Sequence, residues 1–129
     1  MPKFELNKLV RDGLRDEYER TNQNPVFREL SIDELKTQLA RKIIEEANEI
    51  RVNSRPDEVI DEAADIRQIL DDIMAIYDIT EEQVKLAQQK KYDKKGGFAN
   101  GVFVETLELD DNDPWVGYYR RNPDIFPEK

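Results

Sequence analysis

Between Ser31 and Tyr77 two long apolar periodicities are separated only by Asn53, Ser54, Arg55 and Pro56, and this arrangement constrains the chain more than any other feature. At about 100° per residue, Leu35, Leu39, Ile43, Ala47 and Ile50 fall on one stripe, which predicts a helix running from Ser31 to about Val52. Ser31 with Glu34 supplies a capping-box signature at its start. Pro56, followed by Asp57 and Glu58, suits the first turn of a second helix, where a missing N–H costs nothing and acids favour the dipole. That helix is predicted to reach Tyr77. Two such helices joined by so short a turn fold back on each other as an antiparallel hairpin.

The anomaly in this pattern is acidic. Glu46 falls inside the first stripe and Glu49 lies along its edge, although an unpartnered buried carboxylate is expensive. The second helix has two neighbouring apolar faces, one through Val59, Ala63, Leu70 and Met74, the other through Ile66, Ile69, Ile73 and Ile76. Continued backwards, the second face leads to Glu62 and Asp65. An antiparallel hairpin therefore gathers Glu46, Glu49, Glu62 and Asp65 near its turn. Like charges that close need protons or a cation. The chain has no cysteine and no histidine, which excludes disulfides, thiolate catalysis, histidine bases and the usual zinc sites. A metal here must be held by oxygen, which selects a hard ion, Mg2+ or Mn2+ in its place. In a chain with 29 acids, an acidic pair at this spacing is also the pattern of a solvated flank, and both readings stand at this point.

Thr80 and Gln83 form a further capping box, opening a third helix that ends in lysines and stops at Gly96 and Gly97. The alternation in GVFVETLEL, residues 101–109, predicts a strand pairing with PVFREL, residues 25–30. The tail holds three prolines and is expected to dock irregularly without another helix. The fold class expected is mainly α: one domain over residues 1–129, a helical hairpin plus a third helix, a small peripheral β-hairpin, and an irregular tail from about residue 105. A hydrophobic content of 38% and mean hydropathy of -0.82 imply a modest core for one copy. The second apolar face then calls for a second copy, a homodimer with a four-helix core. A net charge of -9 disfavours nucleic acid and anionic membranes as partners. No apolar run of about 18 residues and no leader pattern is present, so a soluble cytoplasmic protein is the expectation.

Glu45-Glu46-x-x-Glu49 on one helix and Glu62-x-x-Asp65 on the next resemble the all-α nucleoside triphosphate pyrophosphohydrolases, the MazG-like proteins, to which phosphoribosyl-ATP pyrophosphohydrolase is related. NKLVRD, residues 7–12, is similar to the N-terminal segment of one MazG-like branch, and KKGGF, residues 94–98, also matches. The resemblance covers roughly residues 4 to 104. It implies magnesium-dependent hydrolysis between the α and β phosphates of a nucleotide, giving a monophosphate and pyrophosphate. It further implies that Glu46, Glu49, Glu62 and Asp65 ligate the metal, that Glu45 is the base for the attacking water, and that the protein forms dimers or dimers of dimers. Glu45 is turned about 100° from Glu46, so it activates water only if substrate lies across the helix and is otherwise a surface acid. Asn7, Lys8 and Arg11 are candidate phosphate contacts, with an ordinary exposed loop as the other reading. Lys95 stands where the family commonly has arginine; it either touches phosphate or serves the helix end. No residue selects base or sugar, and phosphoribosyl-ATP stays open as substrate. A metal-binding domain without turnover and a helical interaction module are the competing classes.

Overall fold

The computed structural model describes all 129 residues and is all-helical. Five helices follow in order: α1 (Leu14–Arg20), α2 (Ile32–Asn48), α3 (Pro56–Ile76), α4 (Glu81–Lys95) and α5 (Trp115–Arg121). The chain divides into two units, Met1–Gln89 and Lys90–Lys129, with the boundary inside α4.

In the first unit α2 and α3 are the one helix pair that packs together. Their antiparallel course is fixed at both ends. Glu46, late in α2, meets Glu62, early in α3, while Lys36, early in α2, lies over the ring of Tyr77, just past α3, at 4.7 Å. The capping box of α2 forms as its sequence requires: Glu34 N donates to Ser31 Oγ and Ser31 N donates to Glu34 Oε1, both at 3.2 Å. Arg28 closes on the same Glu34 at 2.8 Å. These two partners, Arg28 first and then the Ser31 backbone, hold the Glu34 carboxyl down at about 2. At α3, Arg55 N donates to Glu58 Oε1 at 3.0 Å, and Pro56 occupies the first turn.

The hairpin closes over a small apolar seam. Leu39 and Ile69 are buried, each contributing about 1.5–3 kcal/mol by leaving water, and Leu35, Ile43, Ile66, Ile73 and Ile76 are half-buried around them. On the other face of α3, Val59, Ala63 and Leu70 stay exposed and Met74 is half-buried.

Four expectations are corrected. The peripheral β-hairpin is absent. Residues 101–109 make no ladder, and Val102, Phe103, Val104 and Leu107 are all exposed, so their alternation has neither a partner strand nor a buried face to serve. PVFREL instead seats Phe27 against Tyr18 of α1 at 6.2 Å, with the Arg15 guanidinium over the Phe27 ring at 5.1 Å. That contact accompanies the second correction, a short α1 that the expected hairpin and third helix did not include: Leu14 and Tyr18, one turn apart, are its half-buried side. Third, α2 ends at Asn48, four residues before Val52. Glu49 N and Ile50 N bond back to Glu46 O and Ala47 O at 3.1 Å, and Ser54 Oγ then takes the Arg51 N–H at 2.8 Å, turning the chain. Fourth, the tail holds α5. Its prolines bound this helix instead of breaking it, with Pro114 just before Trp115 and Pro123 just after Asn122.

In the second unit α4 ends as its glycine predicts, with Gly96 at φ 76° and its N–H on Tyr92 O at 2.7 Å. Residues of α5 form an aromatic cluster in which Tyr119 meets Phe126 edge-on at 4.9 Å and Arg120 grips Glu128 through two bonds of 2.9 and 3.1 Å. No helix is long and apolar enough to cross a membrane.

Candidate metal centre

The hairpin geometry brings three carboxylates together. Glu46, Glu49 and Glu62 each place a carboxylate oxygen within 4.8 Å of the others. Glu46 is buried on the seam, one turn below Ile43. Glu49 caps the C-terminal end of α2 and is exposed; Glu62 reaches across from α3 and is half-buried. Glu62 Oε2 is shut off from solvent with no hydrogen-bond partner among the protein's groups. A group so placed takes either a proton shared with its neighbours or a cation. Proton sharing with Glu46, aided by desolvation and by Glu49, pushes the Glu62 carboxyl up to about 8. A carboxylic acid kept neutral at neutral pH by two other acids is a site lacking positive charge.

The remaining expected residues arrange themselves around this group. Asp65, one turn after Glu62, lies outside the three-acid set and is taken by Arg11, whose Nη2 lies 2.5 Å from Asp65 Oδ1. Glu45 lies outside this group and is held by Lys8 Nζ at 3.0 Å and by Lys42 Nζ at 3.3 Å from both its oxygens. Lys8 holds the Glu45 carboxyl below the usual range against an opposing desolvation, and Lys42 adds to the lowering. Asn7 takes a left-handed conformation at φ 47°, which starts the segment's path toward α2. With Lys8, Leu9, Gln38, Arg41, Lys42 and Glu45 it lines a cavity of about 300 Å3. This cavity adjoins Glu45, not Glu62, and its cations Lys8, Arg41 and Lys42 give it the charge to receive an anion. Lys95 is the last residue of α4 and belongs to the second unit.

Lys42 is the participant that the sequence reading passed over. It stands one turn before both acids, 3.3 Å from Glu45 and 3.8 Å from Glu46, and the i,i+3 and i,i+4 spacing was the available signal. Once Glu62 gives up its proton, Glu45, Glu46, Glu49, Glu62 and Asp65 outnumber Lys8, Arg11 and Lys42 by two charges. Oxygen-only donors from two helices, an unpartnered carboxylate oxygen and a deficit of two charges fit a hard divalent cation such as Mg2+.

Comparison with known protein families, with curated proteins and with solved structures gives no match to this chain.

Proposed function

We propose that this protein is a metal-dependent nucleotide pyrophosphohydrolase, cleaving between the α and β phosphates of a nucleoside triphosphate or deoxynucleoside triphosphate to release a monophosphate and pyrophosphate. The observation that carries the reading is the convergence of Glu46, Glu49 and Glu62 within 4.8 Å around a carboxylate oxygen that nothing satisfies. The resemblance of the two acidic motifs to the MazG-like enzymes supplies the reaction class. Glu46, Glu49 and Glu62 hold Mg2+ or Mn2+, and Asp65 is the fourth ligand by the same resemblance. The ion supplies charge to polarise phosphoryl oxygens and acidify water. Glu45 is the base for the attacking water by the same resemblance, a role that requires substrate to lie across α2 from the acidic group toward Lys8 and Lys42. Lys8, Arg41 and Lys42 give the phosphate chain its counter-charge.

A second copy of the chain belongs to this reading. The hairpin buries only Leu39 and Ile69 among its apolar side chains, while Val59, Ala63 and Leu70 form an uncovered strip along α3. Packing two hairpins through that strip gives a four-helix core, as a homodimer or a dimer of dimers.

The test is incubation of purified protein with ribo- and deoxynucleoside triphosphates and with phosphoribosyl-ATP, in Mg2+ or in chelator. Monophosphate and pyrophosphate appearing with Mg2+ alone is the expected result, and the substrate turned over ranks base and sugar. No hydrolysis anywhere in the panel refutes the enzyme.

A further inference from the structure

Two ion pairs tie the N-terminal segment to the candidate metal centre, one to each helix of the hairpin. Lys8 reaches Glu45 on α2 at 3.0 Å, and Arg11 reaches Asp65 on α3 at 2.5 Å. Little else holds the segment. Residues 1–10 have no regular secondary structure and contribute no backbone hydrogen bond to the rest of the chain. Leu9 and Val10 are half-buried, and everything before them is exposed, Phe4 included. Both cations are themselves more than half exposed, at 52% and 58% of their side chains. Each pair is therefore a weak tether, of the kind that competes poorly with a divalent ion.

The position of Asp65 gives these tethers their meaning. It follows Glu62 by one turn on the face that carries the other acids inward, yet its carboxylate is bound by Arg11 and stays out of the three-acid group. Arg11 and a cation held by Glu46, Glu49 and Glu62 compete for the charge of Asp65. We propose that residues 1–11 form a strap that Arg11 and Lys8 latch across the metal-free hairpin, that a divalent cation drawing on Asp65 releases the Arg11 latch, and that the freed Arg11 then closes on the phosphates of the substrate. This rests on the metal-centre reading above. The strap supplies positive charge to the acids when no ion is there and to the phosphates when one is. Because Arg11 serves both states, it cannot hold both partners at once. A polyphosphate therefore finds Arg11 free only in protein that already carries the ion.

The absence of cysteine makes the motion directly readable, since a nitroxide on Glu5→Cys labels a single site. Its spin-resonance line is followed as Mg2+ is added to chelator-treated protein, with Mg2+ binding to the same sample measured by calorimetry. The expected result is a line that narrows in step with binding and broadens again when inorganic pyrophosphate is added with Mg2+ in excess. Binding with no change in the line overturns the strap and leaves the metal centre standing. No Mg2+ binding overturns both. A line that stays narrow in saturating magnesium pyrophosphate overturns the closure on phosphate. Two variants separate latch from ligand. Arg11→Gln frees the label without Mg2+ and, by removing a competitor, tightens Mg2+ binding about two- to fivefold. Asp65→Asn frees the label too but weakens Mg2+ binding. Unchanged or weaker binding in Arg11→Gln rejects the competition between Arg11 and the ion for Asp65.

Discussion

Glu62→Gln tests the electrostatic core of the site, and its sign follows from the proton held there. The carboxyl of Glu62 is pushed up to about 8 in the folded chain, against an ordinary value of 4.5, first by Glu46, then by desolvation and Glu49. Below 4.5 the folded and unfolded chains both hold this proton, and the stability it allows is fully present. Between 4.5 and 8 only the folded chain holds it, so the metal-free protein loses stability as pH rises through this window and levels off above it. Near the middle of the window, at about pH 6, the folded chain carries close to one more proton than the unfolded chain on this account. Calorimetric unfolding in buffers of different ionisation enthalpy reads that proton directly. Metal binding must expel it, so Mg2+ affinity should rise about tenfold per pH unit up to the folded pKa. In Glu62→Gln the downward slope of stability should vanish, and the metal-free variant should melt above wild type in alkaline buffer. A metal-free stability that is flat across the window, or an Mg2+ affinity independent of pH there, refutes the shared proton and with it the crowding of the three acids.

Glu46→Gln should abolish pyrophosphate release while leaving helical circular dichroism unchanged, since it removes a ligand and a repelling charge together; near-normal turnover rejects the ligand assignment. Leu39→Ala acts differently, because Leu39 is only 4% exposed at the seam, and should cost about 2–5 kcal/mol in denaturant unfolding. Leu70→Glu, on the uncovered strip of α3, should convert an assembly of at least twice 15.2 kDa into single chains by light scattering, and wild type that is already a single chain at micromolar concentration rejects the interface.

What could be read from the sequence was whatever depends on residues a turn or two apart. The capping boxes at Ser31 and Thr80 and the glycine stop at Gly96 form as their local chemistry requires. The same holds for the inner face of α3, where Glu62, Asp65, Ile66, Ile69, Ile73 and Ile76 are all at least half-buried. The acidic centre was legible for the same reason, because helical period and a short turn place Glu46 and Glu62 opposite each other before any tertiary detail is known. Strand pairing has no such local determinant. The alternation in residues 101–109 is compatible with a strand, but a ladder needs a second segment to supply hydrogen bonds, and none does so here. The tail misled in the opposite direction: a proline count argued against a helix, when what matters is whether a proline lies inside the helix or at its ends, and Pro114 and Pro123 stand at the ends of α5.

The division between Asp65 and the three glutamates was beyond any periodicity argument. Glu62 and Asp65 share a helix face, and spacing alone gives them one fate. They are separated by Arg11, a residue 54 positions earlier in a segment without regular structure. An exposed ion pair of this kind contributes at most about 1 kcal/mol, so it leaves almost no trace in hydrophobic pattern or propensity. It nonetheless bears on which carboxylates are left for a cation, because Arg11, 2.5 Å from Asp65 Oδ1, already supplies that carboxylate with positive charge, and a cation that takes its place must exchange with it. A weak contact is what such an exchange requires. Had Asp65 been buried against Arg11 in the seam beside Ile69, breaking the pair would strand a charge away from water and the fourth acid would be locked. Left half-exposed at the edge of the hairpin, Asp65 can change partners at small cost, and the chemistry of the site then depends on which cation is present.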